Sequence, residues 1–221
     1  MKSLGWKTII ATTAVASLGS LAIAVAPSQA ASPVGGSSTH AGTTSSSSQA
    51  SAALSPSRLA ALPLTNRHLT GHEVANLAVV LGAYHDAEGK SLDVNAFINS
   101  FTKDGVFNDV VAGKTYQGQA LGDVLTGMAA IFPDVHRDLK SITVSGDVVS
   151  LELAIQGTFE GPLQTPAGTL KPNGARIDAP TADFWYLHDG KITKFDCFVG
   201  YSDMYNQMGV NFDWAGAVAK G

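Results

Sequence analysis

The residues Asp183-Phe-Trp-Tyr-Leu-His-Asp-Gly-Lys-Ile192, followed directly by Thr-Lys-Phe-Asp196-Cys-Phe198, constrain the fold more than any other part of the chain. Asp189-Gly190 predicts a tight hairpin turn, because Gly supplies the positive φ that such turns need, and both flanks are rich in aromatic and β-branched residues. Alternation along the first strand places Asp183, Trp185 and Leu187 on one face. Each strand also carries one carboxylate, Asp183 and Asp196. An acid that shares a face with a Trp is either solvated at a sheet edge or enclosed in apolar surroundings, and enclosure makes a weak acid chemically useful.

Not all of the 221 residues look foldable. Lys2 and Lys7 flank the start of an apolar run from Ile9 to Ala26, and Pro27-Ser28-Gln29-Ala30 ends it with small residues. This pattern predicts a signal peptide over 1–30, cleaved after Ala30, and a secreted or extracytoplasmic product. The competing reading, an uncleaved anchor, suits the segment less well, because Thr, Ser and Gly dilute the run. Residues 31–67 are rich in Ser, Thr, Ala and Gly and predict a disordered linker. One domain is expected over 68–209, with a C-terminal tail over 210–221.

Four of the fourteen Lys and Arg precede His68, which leaves ten against all eighteen Asp and Glu, a net charge of −8. That balance disfavours nucleic acid and anionic membrane as partners. The mature chain holds no stretch long and apolar enough to span a bilayer. The single cysteine, Cys197, has no partner for an internal disulfide, and its place in a strand predicts a buried, inert thiol.

Thr70-Gly-His-Glu73 has capping-box spacing and opens a helix expected to reach Asp86, with Val74, Leu77, Val80, Leu81 and Tyr84 as its apolar stripe. A second helix is expected over 93–101. Short strands follow at 105–111 and 114–116, then a helix over 119–132 that Pro133 closes. Strands at 141–144, 148–158, 176–187 and 191–199 complete the pattern. Helices first and antiparallel strands afterwards predict an α+β domain, and no glycine-rich phosphate loop supports a nucleotide cofactor.

The order and spacing of Phe107-Asn-Asp109, Gly113-Lys-Thr-Tyr-Gln-Gly118, Phe132-Pro-Asp134, Gly157-Thr-Phe-Glu-Gly-Pro162, Asp189-Gly-Lys-Ile192 and Gln207-Met-Gly209 resemble the SnoaL-like branch of the nuclear-transport-factor-two-like superfamily. The resemblance spans roughly residues 69–209. It implies a cone-shaped, curved antiparallel sheet wrapped around N-terminal helices, and a superfamily of cyclases, isomerases, dehydratases, hydrolases and proteins that only bind. Against the cyclase pattern, the Trp position falls on Asp196 and the general-base position on Gly200, so that base is missing. Asp203 reads instead as the N-cap of the last helix. The resemblance to ketosteroid isomerases is closer at Asp183, which occupies the place of an acid kept protonated by an apolar site.

Those comparisons imply cofactor-free proton transfer, with Asp196 removing a proton while Asp183 stabilises the oxyanion. The alternative reading of Lys194 and Asp196 is a wet sheet face, with Phe195 and Cys197 turned to the core. Trp185, Tyr116, Phe198 and Tyr201 are the expected lining for a small apolar or aromatic ligand. Phe184 and Tyr186, on the opposite face from Trp185, suggest packing against another subunit as a homodimer. His68 and His72 are four apart, as metal ligands on a helix can be, but Glu73 is misplaced for a zincin motif, His68 precedes the helix cap and His85, His136 and His188 are isolated, so no metal is expected. A non-catalytic binding or dimerisation module is the competing function.

Overall fold

The computed structural model describes residues 54–220. The expected signal peptide over 1–30 and the linker as far as residue 53 lie outside these residues. Within them, the expected linker ends earlier than residue 67. Ser55 accepts a hydrogen bond from the Arg58 amide and starts helix α1 (Pro56–Ala61), with Pro56 in the first turn where its missing N–H is not needed. Leu54 and Leu64 are buried, and the Thr65 amide donates to Ile142 O at 2.9 Å. The ordered domain therefore begins ahead of His68, because two leucines in a polar stretch found an apolar surface to cover.

Helices α2 (Gly71–Asp86) and α3 (Val94–Ser100) come next, then strands β1 (Phe101–Asp109) and β2 (Lys114–Gln117) and helix α4 (Gln119–Ile131). The capping box at α2 forms in both directions: the Glu73 amide donates to Thr70 Oγ1 at 3.2 Å and the Thr70 amide to Glu73 Oε2 at 2.9 Å. Replacing Thr70 with Ala leaves one of the first free amides unpaired. Urea unfolding should show a loss of about 1 kcal/mol.

Strands β3 (His136–Ser145), β4 (Val148–Thr158), β5 (Leu163–Thr165), β6 (Gly168–Leu170), β7 (Arg176–His188) and β8 (Lys191–Val199) follow, with helices α5 (Tyr201–Gln207) and α6 (Trp214–Lys220) last. Six strands form one unclosed sheet in the order β2-β1-β8-β7-β4-β3, in which only β1 and β8 run parallel, while β5 and β6 make a separate hairpin. The expected turn forms with positive φ at both central residues, 48° at Asp189 and 72° at Gly190. One face of the sheet carries Val149, Leu151, Leu153, Ile177, Ala179, Trp185, Phe195 and Val199, all buried, and the helices close over it. The expected C-terminal tail carries α6. Asp203 is not the N-cap of α5; that position is Gly200, and Asp203 stands in the first turn.

The hairpin is not in simple register. Tyr186 pairs with Lys194 but Leu187 with Ile192, so Thr193 is an extra residue, and its hydroxyl donates to Tyr186 O at 3.0 Å. This bulge decides which β8 side chains face inward.

Candidate functional site

Two rows of side chains cross the inner face of the sheet. In the first, Trp185 of β7 stacks on Phe195 of β8 at 3.6 Å, Phe195 on Phe107 of β1 at 4.6 Å, and Phe107 lies 5.6 Å from Tyr116 of β2. The register dictates this ladder, because each residue is the cross-strand partner of the next. Two residues along the strands, Asp183 pairs with Cys197 and Cys197 with Asp109. Two carboxylate positions thus face the same side from strands separated by one, about 10 Å apart at strand spacing.

Asp183 is 2% exposed. The Tyr84 hydroxyl, from the inner face of α2, donates to its Oδ2 at 2.6 Å, while Oδ1 is buried with no hydrogen-bond partner. Burial pushes the carboxyl up from 3.8 to about 6, and the Tyr84 hydroxyl and the neighbouring Cys197 thiol oppose that rise without cancelling it. Trp185 Nε1 donates to the Tyr84 oxygen at 3.0 Å, so an indole holds the phenol that holds the acid. Burial and the Asp183 carboxylate in turn raise the Tyr84 phenol and the Cys197 thiol, so Tyr84 remains a donor and Cys197 the inert thiol expected.

Asp109 is also buried. Its Oδ1 accepts from the Ala112 amide at 3.2 Å and its Oδ2 from the Tyr201 hydroxyl. Burial, with Asp109 second, raises the phenols of Tyr201, Tyr116 and Tyr205, so three partly buried tyrosines gather around this acid as neutral donors.

Of the residues singled out from the sequence, Asp183 and Trp185 stand together inside, Tyr116 ends the aromatic ladder and Tyr201 holds Asp109. Asp196 and Phe198 do not belong to this site. The bulge at Thr193 turns Phe195 and Cys197 inward, so Asp196 lies on the outer face. There it accepts from Asn108 Nδ2 and Lys194 Nζ, each at 2.7 Å. Phe198 is 40% exposed on that same face, edge-on to Phe184 at 5.8 Å. The inner carboxylate pair is therefore Asp183 and Asp109. Tyr84 belongs to the apolar stripe read along α2, whereas Asp109, on the face of Phe107 in β1, reaches the row of Asp183 only through the parallel pairing of β1 with β8. Among the described residues, no group of three or more His, Cys, Asp or Glu is placed to hold a metal, and no helix is long and apolar enough to cross a membrane.

A sequence model of the SnoaL-like domain matches residues 81–195. Among solved structures, a candidate SnoaL-like polyketide cyclase from Jannaschia aligns with a TM-score of 0.57 at 17% identity, over 66% of this chain and 100% of that one. A candidate polyketide cyclase from Streptomyces antibioticus, IdmH, aligns at 0.51 and 19%, over 61% and 99%. A protein with a ketosteroid isomerase-like fold from Catenulispora acidiphila, solved with trimethylamine, aligns at 0.51 and 22%, over 62% and 95%. At these identities the likeness is one of fold. No curated protein matches the chain significantly in sequence.

Proposed function

The chain belongs to the SnoaL-like domain family, and from that premise we propose that it takes a small apolar or aromatic molecule against the inner face of its sheet and moves a proton on it without a cofactor. The observation that carries this reading is Asp183: a buried acid raised to about 6, with one oxygen held by Tyr84 and the other unpartnered. Such a group exchanges its proton close to neutral pH. In this reading Asp109 takes a proton from carbon next to a carbonyl. The electron pair moves onto the carbonyl oxygen, where protonated Asp183 supplies a hydrogen bond, and Tyr84 fixes the acid's orientation. Return of the proton from Asp109 to another carbon completes an isomerisation; its transfer to a departing β-hydroxyl releases water and gives dehydration, and attack of the carbon on a second carbonyl, whose oxygen then takes the proton, gives cyclisation. Tyr116, Tyr201 and Tyr205 offer ring faces and neutral donors to a flat ligand. The leader-like segment 1–30 supports placing this chemistry outside the cytoplasm.

Carboxyl-carbon NMR of the protein labelled at Asp, titrated with and without a panel of planar ketones and phenols, tests the reading. One carboxyl should titrate near 6, move on ligand addition and vanish in Asp183→Asn. On any substrate so found, Asp183→Asn and Asp109→Asn should each lower kcat on the order of 100-fold or more, while Asp196→Asn leaves it unchanged. A normal midpoint together with indifference to every ligand would overturn the proposal.

A second, compatible reading, assembly as a homodimer, is favoured by the outer face. It bears a shallow hollow of about 780 Å³ lined by Pro180, Ala182, Phe184 and Phe198 among others. Exposed aromatic surface beside such a hollow suits a partner better than water.

A further inference from the structure

A second bulge turns a positive charge inward. Leu139 of β3 pairs with Leu153 of β4 but Ser141 with Glu152, so Lys140 is an extra residue. On one side of it Ile142 and Val144 are buried in the core. On the other side Arg137 faces inward too, as the cross-strand partner of the buried Ile155, which pairs in turn with the buried Ala179 of β7. Without the bulge, alternation from Ile142 would send Arg137 to the outer face. The guanidinium is therefore on the same side of the sheet as Asp183. Ala179 precedes Asp183 by four residues and Arg137 stands two strands over, a backbone separation of about 16 Å at ordinary strand rise and spacing, which the long Arg side chain shortens. Its charge spans the rest, since it lowers both the Asp183 carboxyl and the Cys197 thiol against the rise that burial causes.

The Arg137 side chain is nearly enclosed, 12% exposed, yet little in the protein uses it. Nη1 donates to Ala87 O at the end of α2 and stands 3.8 Å from Glu88 Oε1, too far to donate there. Glu88 is engaged elsewhere: Oε1 accepts from the Arg137 amide at 3.0 Å and Oε2 meets His136 Nδ1 at 2.7 Å. Arg137 Nε and Nη2 have no protein acceptor among the described residues, and neither is sealed from solvent. One carbonyl offsets little of the cost of enclosing a guanidinium, whose planar fork matches the two oxygens of a carboxylate.

We propose that Arg137 receives a carboxylate of the ligand, so that the site selects a flat, enolisable ketone with an acid group at its far end. The inference rests on the proton-transfer reading and narrows its substrate class to aryl keto acids. Held this way, the ketone oxygen meets Asp183 while the carboxylate lies toward the row of Arg137, Ile155 and Ala179, away from the two inner acids that would repel it. In a net-acidic domain an anionic ligand needs a cation to receive it, and here the cation also fixes which end of the ligand goes deep.

Calorimetric titration of the full chain with para-acetylbenzoate, its methyl ester and acetophenone tests this, in the parent and in Arg137→Met and Arg137→Lys. The parent should bind the acid on the order of 10-fold or more tighter than either neutral ketone, as a paired, charge-assisted hydrogen bond provides. Arg137→Met should lose that preference while keeping the parent's affinity for acetophenone. Arg137→Lys, which keeps the charge but not the fork, should fall between the two. Circular dichroism shows which variants are folded, and Arg137→Lys decides the matter if Arg137→Met unfolds. Equal affinity of the parent for acid and ester overturns the proposal, as does no binding of the acid or a preference that survives undiminished in a folded variant. The proton-transfer reading fails separately, through a normal Asp183 midpoint and indifference of that carboxyl to the neutral ketones as well.

Discussion

In urea unfolding, the stability of the parent relative to Asp183→Asn should fall by about 3 kcal/mol as pH rises from below 4 to above 6. Below 3.8 the Asp183 carboxyl is protonated whether the chain is folded or not. Between 3.8 and about 6 the folded chain holds the proton and the unfolded chain does not, so unfolding releases it. Stability therefore falls with rising pH across this window, and above it the full cost of a buried carboxylate is present. Hydrogen bonds from backbone amides and side chains lower Glu73, Asp134 and Asp147, which act in the opposite sense at more acidic pH, so the difference between variant and parent isolates Asp183. An amide at 183 can still accept from Tyr84, but its NH2 replaces an oxygen that has no partner, at a pH-independent cost of about 1–3 kcal/mol. The variant should thus be the weaker protein near pH 4 and should match or exceed the parent near pH 7. Parallel curves for the two proteins would show that Asp183 is not a perturbed acid, and the catalytic reading would lose its main support.

The α+β class was legible because helical spacing came first in the chain and period-two alternation afterwards, and the hairpin because Asp189-Gly190 admits few other conformations. Asp183, Trp185 and Leu187 share the inner face as alternation predicts. The second carboxylate was not legible, and the reason is one residue. Counted outward from the turn without a bulge, Asp183 faces Asp196; the extra residue at Thr193 substitutes Cys197 in that place and sends Asp196 outside. Nothing local in Lys-Ile-Thr-Lys-Phe marks the bulge. Asp109 required a further non-local fact, the parallel pairing of β1 with β8, which brings together residues almost ninety positions apart. The wet-face alternative for Lys194 and Asp196 was the better one because Asn108, from the same outer face of β1, was waiting to share the carboxylate.

Trp185→Ala should be the most destabilising single substitution at the site, by about 3–5 kcal/mol, because it removes both a large buried volume and the Nε1 donor to the Tyr84 hydroxyl. Trp185 is 1% exposed, stacked on Phe195 within 5° of parallel, edge-on to Tyr84 at 5.2 Å and near Phe101 at 6.4 Å. Phe195 and Phe101 are held by the paired strands β8 and β1 and Tyr84 by α2, so collapse into the gap is limited and most of the cavity cost remains. A domain of this size is stable by about 5–15 kcal/mol, so the variant should lie near the edge of folding. Its vacancy would be lined by Phe195, Phe101 and the edge of Tyr84, and such an apolar space accepts a small aromatic molecule. Free indole should therefore raise the melting temperature of Trp185→Ala and leave the parent unchanged. Trp185→Phe separates the two contributions, since it restores much of the ring packing but not the Nε1 donor. Without that donor the Tyr84 hydroxyl is less firmly aimed at Asp183, and the hydrogen bond that holds the acid down weakens. The Asp183 midpoint should then rise above about 6 in Trp185→Phe, read by the same carboxyl-carbon titration. An unchanged midpoint would mean that the indole only packs, and that Tyr84 keeps its orientation through α2 alone.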